Sequence, residues 1–202
     1  MTEAVGPRPL GASDILSGML IREATPEDWP AIWPFFHEIV AAGETFTYPT
    51  DLTREQSRDW WLLSAPNRTV VAVDEAGTVL GTAKMNNNHL GNASHIASAS
   101  YMVDPAHGGH GVGRALCEHT LQWARTAGFR AMQFNAVVET NHHAVSLYRS
   151  LGFEILGTLP EGFAHPTQGY LACVRVVNDR GALRHRDRLQ GKWLRRGVLV
   201  PA

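Results

Sequence analysis

Tyr101-Met102-Val103-Asp104-Pro105-Ala106-His107-Gly108-Gly109-His110-Gly111-Val112-Gly113-Arg114 is the stretch whose reading decides the fold. A short apolar strand runs into a glycine-dense turn, and Val112, Leu116, Thr120 and Ala124 then recur every four residues, the period of an amphipathic helix. Gly108, Gly109, Gly111 and Gly113 let the backbone approach a ligand closely. The unpaired N–H groups at the helix start, with the positive end of its dipole, favour phosphate. Such a turn also serves as a plain strand-to-helix connection, so its surroundings must carry the case.

Upstream, Thr25-Pro26-Glu27-Asp28 is a helix-start signal with Thr25 as N-cap and Pro26 in the first turn. Pro30 and Pro34 predict a bent or two-piece helix through about Val40. Thr53-Arg54-Glu55-Gln56 resembles a capping box before a helix carrying Trp60 and Trp61. The β-rich runs 69–73 and 79–85 flank a turn containing Gly77 and read as a hairpin, and His95 to Val103 reads as the next strand. Downstream come a strand over 131–138, a helix over 141–151 stopped by Gly152, and closing strands over 153–158 and 170–177. The order β-α-α-β-β-β-α-β-α-β-β implies an α/β fold, a mixed sheet with helices on both faces.

At 202 residues the chain suits one domain. Residues 1–19 read as a loosely ordered leader, 20–177 as the domain and 178–202 as a basic C-terminal extension. The formal net charge of −1 conceals an excess of +5 over 179–202, leaving −6 elsewhere. That overall balance argues against nucleic acid or an anionic membrane as partner, and the tail reads as a solvated or partner-packing segment. Cys117 and Cys173 are far apart, without disulfide or metal spacing, so no metal is expected. With no spanning-length apolar run and no secretory pattern, the chain reads as soluble and cytoplasmic.

A second signature follows the glycine turn: Asn141-His142-His143-Ala144-Val145-Ser146-Leu147-Tyr148-Arg149-Ser150-Leu151-Gly152-Phe153. Together the two motifs resemble the GCN5-related N-acetyltransferases over about residues 20–177. The resemblance implies a mostly antiparallel sheet with splayed fourth and fifth strands, and acetyl-CoA as co-substrate. It places the CoA pyrophosphate on the turn from His107 to Arg114, with Gly108, Gly109, His110, Gly111, Val112, Gly113 and Arg114 as its contacts. The usual basic or amide residue at the first motif position falls on Gly108, a departure for which His107, His110 or Arg114 would compensate. Pantetheine lies in the opening, paired to the backbone of Tyr101, Met102 and Val103, and Asn141 faces the same ligand while capping its helix. Tyr148 aligns with the tyrosine that protonates the departing thiolate.

Many members carry a glutamate base on the fourth strand. Here Ser98 holds that position, and a hydroxyl is no base at ordinary pH. Glu44, Glu139, His95 or a water chain are the alternatives. Gln133 to Asn141 and Gly157-Thr158-Leu159-Pro160 resemble the branch of fungal acetyltransferases of azetidine-2-carboxylate, which use amides to orient the acceptor; Asn135 and Ser98 take that role here. Glu44-Thr45-Phe46 and Gly157-Thr158 resemble the bacterial phosphinothricin and methionine sulfoximine acetyltransferases. The implied acceptor is a small amino-acid-like amine, with Phe36, Phe46, Tyr48, Trp60 and Trp61 as aromatic walls nearby; 161–166 reads as a polar, bend-forming loop, either one that closes over the acceptor or only a strand connection. The family also implies a homodimer. The alternatives are a protein N-terminal or lysine acetyltransferase, and a non-catalytic acyl-CoA sensor.

Overall fold

A computed structural model describes residues 18–179. The expectations for the leader up to residue 17 and for the basic tail from residue 180 lie outside them, while Asn178 and Asp179 belong to the last strand rather than to an extension.

The chain order is β1 (Met19–Glu23), α1 (Trp29–Ala42), α2 (Arg54–Trp61), β2 (Arg68–Asp74), β3 (Val79–Asn87), β4 (Ile96–Val103), α3 (Val112–Thr126), β5 (Ala131–Val138), α4 (His142–Ser150), β6 (Glu154–His165) and β7 (Gly169–Asp179). Seven strands form one sheet in the order β1-β2-β3-β4-β5-β7-β6. Every pairing is antiparallel except β4 with β5. This is the mixed, mostly antiparallel α/β architecture that the motif order implied.

The prolines do not divide α1. A 3-10 turn over Pro26–Asp28 precedes a continuous helix, with Pro30 in its first turn, where a missing N–H leaves no bond unmade, and Pro34 inside it. Asp28 anchors this start by accepting from Arg22 at 2.7 Å through both carboxylate oxygens and from the Thr25 amide at 2.8 Å. The guanidinium holds the Asp28 carboxyl below the usual carboxylate range. The capping box before α2 is present, with Thr53 N donating to Gln56 Oε1 and Gln56 N to Thr53 Oγ1.

Period-two alternation along β4 sends its side chains to two different cores. Ala97 and Ala99 pack with α3 residues Val112, Ala115 and Leu116, and with Tyr101, Val103 and Tyr148 against them. Met102 packs on the opposite face with Ile32, Phe36 and Trp61 of α1 and α2. Trp61 is fully buried and donates from Nε1 to Thr82 Oγ1 at 3.0 Å, which itself donates to Val70 O at 2.8 Å. Its neighbour Trp60 points outward and is exposed, so only one of the expected tryptophan walls is core.

The segment 161–166, read as a closing loop or a strand connection, is mostly strand. Phe163, Ala164 and His165 pair with Leu171, Tyr170 and Gly169, and the irregularity between Leu159 and Phe163 is a bulge inside β6. The excursion is therefore held in the sheet by ladder bonds on both sides of the bulge.

The face of β3 meets α3 at Gly81, where a Cβ would stand 2.9 Å from Met102 O and 3.0 Å from Val112 Cγ1. A backbone carbonyl cannot step aside as a side-chain tip can. Gly81→Ala should cost about 1–3 kcal/mol and lower Tm by roughly 2–12 °C in thermal unfolding.

Candidate active site

The ladder between β4 and β5 lasts two residues, Ile96 with Ala131 and Ala97 with Met132, and then the strands part. On its other side β5 loses register with β7 between Phe134 and Val137. Asn135 and Ala136 therefore stand exposed in the middle of a sheet. Aromatic side chains fill the α3–α4 side of the opening: Phe134 lies 4.7 Å from both Tyr148 and Phe153 between ring centres, and Tyr101 meets Phe134 edge-on at 5.8 Å.

A chamber of about 230 Å³ passes through this gap. Tyr101, Phe134, Ala144 and Tyr148 line it from the α3–α4 side. Ser98, Ser100, Asn135 and the α1–α2 loop residues Thr45 to Tyr48 line it from the other. The structure thus brings together Tyr148, Asn135, Ser98, Tyr101 and Asn141 from the sequence-predicted set. Met102 turns its side chain into the α1–α2 core, while the β4 backbone beside it remains unpaired toward β5. Val103 packs on the α3–α4 face beside Gly113, its Cγ2 lying 3.6 Å from where a Gly113 Cβ would be.

Asn135 is held by other amides. Gln133 Nε2 donates to Asn135 Oδ1 at 2.7 Å and Asn135 Nδ2 donates to Asn88 Oδ1 at 2.6 Å, a bond that crosses from β5 to the segment after β3. One carbonyl lone pair and one N–H of Asn135 remain for a ligand. Asn141 caps α4, its Oδ1 accepting from Ala144 N at 3.1 Å, as its position before the helix predicts.

No carboxylate, imidazole or other charged side chain lines the chamber among the described residues. Glu44 lies instead in an adjoining cleft of about 440 Å³ with His142, His143, His165 and Gln168, which meets the chamber at Thr45 and Asn141. Glu139 is tied to the β7 backbone, accepting from Ala172 N at 2.8 Å, and His95 is exposed before β4. None of the three alternatives to a β4 base faces the gap.

Burial pushes the Tyr148 phenol far above its ordinary pKa, with the neighbouring Cys117 thiol adding to the shift. Burial likewise pushes Cys117 up to about 12, so this thiol beneath the chamber stays protonated and is not a nucleophile. On the α1–α2 side, burial raises the Tyr48 phenol to about 12 against the opposing pull of the Ser100 hydroxyl.

At the glycine turn, Gly109 and Gly111 have φ of +80° and +81° and open space around them. The first donor accounted for at the start of α3 is Ala115 N, bonded to Gly111 O, which leaves the amides of Val112, Gly113 and Arg114 for a ligand anion. The proposed compensating side chains divide. His107 is half-buried with Nδ1 3.4 Å from Asp104 Oδ2, and Arg114 reaches to α4, donating to Ser150 Oγ at 2.8 Å. His110 is exposed beside the turn. Gly108 has ordinary φ and ψ of −62° and 150°, and a Cβ there would meet only Pro105 O at 3.4 Å.

Ser100, Lys84, Asn88 and Gln133 are features of the site that motif reading passed over. Ser100 was legible from alternation, being two residues from Ser98 on the same face of β4. Lys84 was legible as the one charge within an otherwise uncharged strand.

A family model described as the acetyltransferase (GNAT) family matches residues 33–153. The chain is 31% identical over 149 residues, 70% of its own length and 83% of the relative's, to the L-methionine sulfoximine/L-methionine sulfone acetyltransferase of Pseudomonas aeruginosa. Among solved structures it is similar to a GCN5-related N-acetyltransferase from Kribbella flavida, with 53% identity and a TM-score of 0.78, covering 80% of this chain and 98% of that one. A phosphinothricin acetyltransferase from Sinorhizobium meliloti in complex with AcCoA shares the fold, with a TM-score of 0.72 at 24% identity over 82% of this chain and 90% of that one.

Because the fold does not require glycine at 108, Gly108→Gln should keep stability within about 0.5 kcal/mol and tighten CoA binding in calorimetry. Gly111→Ala, forced to positive φ, should lose roughly 1–2 kcal/mol and weaken CoA binding.

Proposed function

Since the chain belongs to the GNAT acetyltransferase family and is an N-acetyltransferase, we propose that it transfers acetyl from acetyl-CoA to a small amino-acid-like amine by direct attack in a ternary complex. The carrying observation is the chamber through the β4–β5 gap, open to both faces of the sheet, with a hydroxyl donor on one side and amides on the other. The residues present fit the donor. Free amides at the start of α3 suit pyrophosphate, and the unpaired edge of β4 from Ser98 to Val103 suits the pantetheine amides.

Acetyl-CoA supplies the thioester on which the amine acts, with CoA thiol as leaving group. The chain's own residues hold and orient. Asn135, kept in place by Gln133 and Asn88, presents its remaining donor and acceptor to the incoming nitrogen, and Ser98 adds a hydroxyl from the facing strand. The backbone N–H of Val103, directed away from the β3 ladder and into the gap, polarises the carbonyl. Tyr148 keeps its proton across the physiological range and delivers it to the departing sulfur. Without a carboxylate base in the chamber, positioning carries most of the rate, and the amine proton leaves through water along the polar α1–α2 side. The buried, protonated Cys117 supports direct attack over an acyl-cysteine route.

A chamber of about 230 Å³ supports a small acceptor over a protein chain. The name of the Pseudomonas relative, an acetyltransferase of an amino-acid analogue, points the same way. A homodimer and a cytoplasmic location belong to the same reading; among the described residues no helix is long and apolar enough to cross a membrane.

Tyr148→Phe should lower kcat roughly 10²–10⁴-fold, the ordinary range for a general acid, with KM for acetyl-CoA little changed. Unchanged kcat with chemistry rate-limiting removes Tyr148 from the mechanism. Asn135→Ala should instead raise KM for the amine while leaving that for acetyl-CoA alone, as read from CoA release over an amine panel.

A further inference from the structure

Among the described residues, Lys84 is the only lysine and has no counter-ion; it stands at the edge of the acceptor side. It projects from β3 directly opposite Ser100 of β4, so both side chains stand on the α1–α2 face. Its ammonium donates to Trp60 O at 3.1 Å and lies 5.1 Å from the centre of the Tyr48 ring and 5.5 Å from that of Trp61. Both Ser100 and Tyr48 line the chamber. Among the described residues, Arg58 of α2 pairs with Asp59 and Arg68 of β2 with Glu23, rather than with Lys84. Tyr48 is the other titratable group facing Lys84, and it stays neutral.

A desolvated cation costs free energy unless an anion meets it, and two aromatic faces with one carbonyl offset only part of that. The unmet cost shows in the group itself, because burial pulls the Lys84 pKa down to about 8. The chamber next to it offers hydroxyls, amides and rings but no charge. The missing partner is then most simply a ligand group.

We propose that Lys84 is the charge-selecting residue of the acceptor chamber, pairing with a carboxylate carried by the amine that is acetylated. The inference rests on the N-acetyltransferase reading above and adds to it a residue and the group it recognises. Lys84 exchanges the Trp60 carbonyl for the ligand carboxylate, and the Ser100 and Tyr48 hydroxyls complete its shell. With the carboxylate on the β3 side, the amine of the same molecule is directed across β4 toward Asn135 and the gap.

The test compares acceptor pairs that differ only in carrying a carboxylate or its carboxamide, using the full chain, Lys84→Met and Lys84→Arg at saturating acetyl-CoA. Lys84→Met should raise KM for the carboxylate acceptor roughly ten- to a hundredfold and leave the carboxamide within about twofold; Lys84→Arg should keep the preference. In the full chain the ratio of kcat/KM for carboxylate over carboxamide should fall as pH rises through about 8, where the ammonium loses its proton, and the Lys84→Met ratio should not share that step. Equal losses for both members of a pair, or a loss confined to KM for acetyl-CoA, overturn the proposal. If Lys84→Met does not fold, the pH series and Lys84→Arg decide. Amines acetylated without any carboxylate preference refute charge selection alone, whereas no amine acetylated refutes the N-acetyltransferase reading and this inference with it.

Discussion

The parting of β4 from β5 after two paired residues is the constraint on which the rest of the structure depends. A parallel ladder continued to Val103 would seal the sheet and leave neither a strand edge nor a passage through it. The bulge at Asn135 and Ala136 takes β5 out of register with β7 as well, so the middle of β5 is bound on neither side. Unpaired backbone inside a sheet must find other partners, and these are a ligand's amides or water. The aromatic group of Tyr101, Phe134, Tyr148 and Phe153 occupies the space beside the gap.

From that opening the two faces of the sheet acquire different chemistry. On the α3–α4 side the site is aromatic and largely buried, which keeps the Tyr148 and Cys117 protons in place. On the α1–α2 side it is lined by hydroxyls and amides, with one under-compensated ammonium behind them. Proton donation to a leaving sulfur suits the first environment, and recognition of a polar acceptor suits the second. No carboxylate lines the chamber among the described residues, and the amide chain from Gln133 through Asn135 to Asn88 fixes the one side-chain amide that β5 presents to it.

Local chemistry made much of this legible. Gly109 and Gly111 adopt the left-handed backbone that motivates glycine there, Asn141 caps α4, and Thr53 with Gln56 caps α2. The strand that ends at Val103 and the helix that begins at Val112 were readable from periods of two and about four. Other placements were set by pairing and packing that no motif records. Residues 161–166 look like a polar loop, yet ladder bonds to Leu171, Tyr170 and Gly169 draw most of them into β6. Glu44 has suitable chemistry for a base, but its loop places it in the neighbouring cleft. Arg114 sits in the turn motif, but Ser150 on another helix engages its guanidinium.

The sequence by itself determined the element order, the glycine turn before α3 and the signature of a GNAT fold, because caps, turns and periodicity act over a few residues and do not wait for tertiary contacts. Only the tertiary structure decided which groups share the chamber. Asn88 meets Asn135 across 47 positions, Lys84 meets Tyr48 across 36, and Cys117 lies beneath Tyr148 because two helices pack on one face of the sheet. Such juxtapositions follow from strand register and from where β4 leaves β5, and no local rule in either segment records where a strand will lose its neighbour.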